Sequence, residues 1–94
     1  MKLVIKKRAL NAILSTAIYV ESLNTEGSGE RWADKIKAVI VSLAKSNPKL
    51  AICKNASLAK FSYRCFSYKD WVIAYRIKKD TFEICRFIHG SRLH

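Results

Sequence analysis

The stretch that most limits what this chain can fold into is WVIAYRIKKDTFEICRFIHGSRLH, residues 71–94. Two runs within it, 71–78 and 82–88, are dominated by aromatic and β-branched side chains, the types that suit a half-buried pleated surface. The connection between them is tight, turning at Lys79 and Asp80, and strands joined that tightly must be antiparallel neighbours. A polar ending follows, His89-Gly90-Ser91-Arg92-Leu93-His94. The rest of the chain must then supply a further strand beside the hairpin and helices over one of its faces.

Upstream, periodicity supplies both. Residues 2–6 carry Leu3-Val4-Ile5 between charges, which suits a short first strand. Over 8–23, Leu10, Ile13, Leu14, Ala17, Ile18 and Val20 recur at spacings of three and four, predicting an amphipathic helix with one apolar stripe to bury. Residues 24–29 are polar, contain two glycines and turn the chain; Ser28 is placed to cap the next helix, with Glu30 in its first turn. In that second helix Trp32, Ile36, Val39, Ile40 and Leu43 share one face, Arg31, Asp34, Lys35 and Lys37 stay wet, and Asn47-Pro48 ends it. A short link between two such helices predicts an antiparallel pair.

Residues 49–58 show no clear period and read as loop. From 59 to 67 the chain alternates, with Phe61, Tyr63 and Cys65 on one side and Lys60, Ser62 and Arg64 on the other. After a turn at 68–70, Trp71, Ile73, Tyr75 and Ile77 point one way and Val72, Ala74, Arg76 and Lys78 the other. With helices over the aromatic face, Lys60, Arg64, Arg76 and Lys78 are expected to share a solvated face of the sheet. The fold class is α+β in the order β-α-α-β-β-β: a helical hairpin on one face of a small, mainly antiparallel sheet. The 94 residues form one domain, 1–94.

Charge bears on function. Eighteen Lys and Arg against seven Asp and Glu leave +11, and a domain this basic seeks a polyanion: nucleic acid, an acidic membrane surface or an acidic protein. Half the residues are hydrophobic and one is proline, so the chain folds despite its charge. Cys53, Cys65 and Cys85, odd in number and widely spaced, read as neither a CxxC pair nor a disulfide framework, which fits a reducing cytoplasm. Two histidines and three scattered cysteines lack metal-ligand spacing, so no metal or other cofactor is expected. The start, MKLVIKKR then ALNAILSTAIYV, has the outline of a signal peptide, but Asn11, Ser15 and Thr16 interrupt the apolar run and Glu21 closes it. The run is also too short to span a bilayer.

The order of elements, the high positive charge and the pattern YKDWVIAYRIKKDTFEICRFIHGSR together resemble the RelE/ParE family of bacterial toxins, the toxin halves of type II toxin–antitoxin modules. The resemblance covers nearly the whole chain and rests on the pairing of VIAYRI with ICRFIHGSR. It implies that the first strand joins the sheet beside the last, with residues 3–5 against 84–88. It also implies a cognate acidic antitoxin whose partly disordered segment lays a helix along the helical pair or adds a strand to the sheet edge.

The family has two activities. One branch cleaves messenger RNA in the ribosome, with clustered cations activating the ribose 2′-hydroxyl and stabilising the developing charge. The ParE branch poisons DNA gyrase. For a nuclease, the resemblance offers Lys60, Arg64, His89 and Arg92 as the catalytic set, with His89 as acid or base. Two RelE-type groups are missing: Val72 stands where an arginine follows the strand-opening aromatic, and the chain reaches His94 before the C-terminal tyrosine position. The ending His89-Gly90-Ser91-Arg92 resembles the ParE type more closely, and the expectation is a gyrase-directed, cytoplasmic toxin. Its anion- or target-binding candidates are Lys60, Arg64, Arg76, Lys78, Arg86 and Arg92. A plain nucleic-acid-binding module and, for His89, a structural role at the strand end are the alternatives.

Overall fold

Two helices, α1 (Lys7–Leu23) and α2 (Ser28–Ser46), separate a first strand, β1 (Lys2–Ile5), from a meander of three: β2 (Arg64–Tyr68), β3 (Trp71–Lys78) and β4 (Thr81–His89). A one-turn helix, α3 (Ala56–Ala59), precedes β2, and a 3-10 turn (Gly90–Arg92) follows β4. The structure, a computed structural model, describes residues 2–46 and 50–92; the expected stop at Asn47-Pro48 and the last two residues of the polar ending lie outside them. The sheet order is β1-β4-β3-β2, with β1 parallel to β4 and the other pairs antiparallel. This is the expected β-α-α-β-β-β fold with α3 added.

The β3–β4 hairpin is the core of the sheet, and a bulge sets which residues face the helices. Ala74 pairs with Arg86 but Tyr75 pairs with Ile84, so Cys85 is an extra residue on β4. That one insertion lets Ile84 and Phe87, an odd number of residues apart, both enter the same core. Both tight turns begin with a lysine in the left-handed region, Lys69 at φ 53° and Lys79 at φ 54°. β1 lies beside β4 as expected, but Leu3 pairs with Phe82 and Ile5 with Ile84, so it meets residues 81–84 rather than 84–88.

α2 buries the face its sequence predicts: Ile36, Ile40 and Leu43 are in the core, flanked by Trp32 and Val39. α1 does not. It contributes Ala9 and Ile13, while Leu10, Leu14 and Ile18 remain 40%, 50% and 71% exposed. The apolar positions of α1 cover more of the helix than one neighbour can bury, and the inward side is taken by Ala9 and Ile13. The helices approach closely at Gly29, where a Cβ would stand 2.3 Å from the Ala17 carbonyl oxygen. The start of α2 is capped by Glu21, whose carboxylate accepts from the Gly27 and Gly29 N–H groups at 2.7 Å each. These bonds hold the Glu21 carboxyl below the usual carboxylate range. Ser28, the expected cap, instead donates to the Val20 carbonyl.

Three expectations fail around β2. The strand does not span 59–67: α3 and a turn with Ser62 at φ 60° occupy its first half, and the strand begins at Arg64. Arg64 pairs with Tyr75 and Phe66 with Ile73, so Arg64, Phe66 and Tyr68 share the helix-covered face, the reverse of the predicted parity. Tyr63 and Cys65 lie on the outer face in a small cluster with Cys53, Leu58, Ala74 and Ile88. There Cys53 and Cys65, expected from their spacing to be unpaired, form a disulfide with Cα atoms 5.0 Å apart and leave Cys85 free, so the cysteines no longer argue for a reducing compartment. Sequence spacing cannot show such a pair, because the bend that joins them is tertiary.

Candidate functional site

β1 stops at Ile5 and the chain turns into α1, so β4 beyond Ile84 has no strand on that side among the described residues. α1 runs alongside instead, and between them lies a cleft of about 930 Å³. Arg8 and Tyr19 reach it from α1, Arg86 and His89 from β4, Ser57 from α3, and Ser91 and Arg92 from the final 3-10 turn. Its end is fixed by rings: Trp71 stacks on Phe87 at 4.5 Å, and His89 meets Trp71 edge-on at 5.0 Å. Gly90 N–H donates to the Asp70 carbonyl at 2.7 Å, tying the end of β4 to the β2–β3 turn.

The electrostatics differ sharply between the two halves of β4. In the half beside β1, Arg76 Nε donates to Glu83 at 2.5 Å and Lys6 lies 3.7 Å from its other oxygen. The Arg76 guanidinium holds the Glu83 carboxyl below the usual carboxylate range. In the cleft no carboxylate is within ion-pair range of Arg8, Arg86 or Arg92 among the described residues. Burial lowers the proton affinity of Arg86, and repulsion from Arg8 lowers it further. Cations brought together without a counter-ion form a surface prepared for an anion.

His89 is constrained as well. The Ser91 backbone N–H donates to its Nδ1 at 3.2 Å, and Ser91 Oγ lies 2.7 Å from the same nitrogen. With Nδ1 accepting, the neutral ring carries its proton on Nε2 and presents a donor there.

The residues expected to share one open sheet face are scattered. Lys60 follows α3, with its ammonium 5.1 Å from the Phe61 ring centroid. Arg64, on the helix-covered face, donates to the Leu50 carbonyl. Arg76 does lie on the outer face but is neutralised by Glu83, and Lys78 is exposed at the far end of the hairpin. Of the expected site residues, Arg86, His89 and Arg92 line the cleft. Sequence reasoning misses Arg8, Tyr19 and Ser57; the signal that could find Arg8 is its place just after a strand that pairs with β4. No group of three or more His, Cys, Asp or Glu side chains among the described residues is placed to hold a metal ion.

Residues 3–94 match a family model described as ParE toxin of type II toxin-antitoxin system, parDE. No curated protein matches the chain.

Proposed function

The chain belongs to the ParE family of type II toxins, and from that membership we propose that it arrests bacterial growth by poisoning DNA gyrase from the cytoplasm. Membership implies a cognate antitoxin. The observation that carries the gyrase reading over its rival is the separation of the nuclease set: Lys60 and Arg64 stand apart from His89 and Arg92, and Val72 occupies the position of a RelE-type arginine. Catalysis by clustered cations requires them at one developing charge. The target-facing surface in this reading is the Arg8–Arg86–Arg92 cleft. No helix of the described residues is long and apolar enough to cross a membrane.

The antitoxin in this proposal covers the exposed Leu10, Leu14 and Ile18 stripe with an amphipathic acidic helix, drawn by the +11 charge. Purified protein added to gyrase should inhibit supercoiling and accumulate cleaved DNA; unaffected gyrase would remove the reading. The second reading, ribosome-dependent messenger RNA cleavage, is favoured by one observation, the convergence of His89 and Arg92 with Arg86. Pulse labelling after brief induction separates the two: early loss of DNA synthesis with intact messages against immediate loss of translation with cut messages.

A further inference from the structure

We propose that the cleft between α1 and the free edge of β4 binds a phosphodiester of a single nucleic-acid strand. Arg8, Arg86 and Arg92 hold the phosphate oxygens, and Tyr19 offers its ring to an unpaired base. This deepens the gyrase reading, on which it rests for its biological setting, by giving the toxin its own hold on nucleic acid.

Guanidinium forks match phosphate oxygens bidentately, and the mutual repulsion of Arg8 and Arg86 is relieved by an anion between them. Tyr19 is 63% exposed and has no ring partner among the described residues, so one aromatic face stands free on the cleft rim. Stacking beside cations is how unpaired bases are held without sequence preference. An acidic peptide is the competing occupant, but of the large apolar side chains lining the cleft Phe87 is buried and Trp71 stacks on it, which leaves Ile88 as the main anchor point for a peptide side chain. The leucines of α1 are absent from this lining and form a stripe of their own. The shared chemistry, phosphate next to an unpaired base, is common to DNA and RNA.

The test is fluorescence anisotropy of a short labelled oligo-dT, its oligo-U counterpart and an oligoglutamate peptide against the whole chain over a salt series. Arg8→Gln and Arg92→Gln, both at exposed positions, should each flatten the salt dependence of oligonucleotide binding by about 0.7 in log–log slope. Tyr19→Ala should weaken binding by about tenfold. Lys35→Gln and Lys37→Gln, on the exposed side of α2, should leave the slope unchanged. Tighter oligo-dT assigns the site to DNA and tighter oligo-U to RNA; either supports the proposal. Absent oligonucleotide binding, equal slope changes from the α2 lysines, or oligoglutamate binding more tightly with the same Arg8 dependence would each overturn it. The same proteins assayed on gyrase keep the two ideas apart. Gyrase inhibition without oligonucleotide binding sinks this inference alone, and cleft-dependent binding without gyrase inhibition sinks the gyrase reading alone.

Discussion

The two halves of β4 belong to one strand yet do different work. Residues 81–84 are flanked by strands on both sides, and their outward charge, Glu83, is answered by Arg76 and Lys6. Beyond the bulge the strand keeps β3 on one side only among the described residues, and its outward cation, Arg86, is repelled by Arg8. Satisfied hydrogen bonds and paired charges serve stability, whereas a half-buried cation with no carboxylate in ion-pair range among the described residues carries a desolvation cost that no counter-charge offsets. The opposite margin of the sheet makes the same point by contrast. There the β2 edge is shut by a bridge from Ile52 to Arg64 and by the Cys53–Cys65 disulfide.

Mutation can separate the two halves. Phe82→Ala, in the flanked half, should cost about 4 kcal/mol by urea unfolding, because a fully buried ring stacked on Tyr75 at 4.8 Å is lost. A loss of less than about 1 kcal/mol would show that stability does not reside there. Reducing the disulfide, which closes a separation of 12 residues, should lower stability by about 3 kcal/mol. Amide exchange should quicken at Cys53 and Cys65 but not along β4; quickening along β4 instead would mean that the two margins are coupled. Gly29→Ala should cost about 2 kcal/mol through its clash with the Ala17 carbonyl, without changing cleft affinity; altered affinity would show that the helix contact positions the cleft wall.

Acid probes the paired charge directly. The folded Glu83 carboxyl titrates below its ordinary value near 4.5, so between the two values the unfolded chain binds more protons and stability rises with pH. Its contribution is therefore full above that ordinary value and lost as pH falls through the depressed one. Glu83→Gln should flatten this part of a pH series of thermal melts; an unchanged profile would assign the acid sensitivity to Glu21 alone. The smallest stability effect belongs to the open half. Arg86→Gln should stay within about 0.5 kcal/mol of wild type while sharply reducing growth inhibition on induction. A destabilised but fully toxic variant would reverse the comparison.

Much of the fold is legible without any knowledge of packing. The β3–β4 hairpin follows from two β-rich runs around Lys79-Asp80, and α2 from a single clean stripe opposite its charges. The parity of β2 is not legible, because apolar residues occupy both phases: Phe61, Tyr63 and Cys65 in one, Phe66 and Tyr68 in the other. Local alternation cannot choose between two phases that each bury aromatics. Pairing with Ile73 and Tyr75 chooses, since a one-residue slip would send Phe66 and Tyr68 to the outer face. The candidate site is half legible for a related reason. Arg86, His89 and Arg92 are near one another in sequence, but Arg8 meets them only through the parallel β1–β4 pairing.

Periodicity, turn chemistry and composition act over a few residues at a time, so the residue order is enough to set the elements, their succession and the excess of positive charge. Which charges are cancelled and which remain is a matter of tertiary structure. Arg76 and Arg86 are equivalent in the sequence, cations within adjacent strands, yet one lies across from Glu83 and the other beside Arg8. Coulomb energy depends on distance in space, and the β4 bulge and the early end of β1 set those distances.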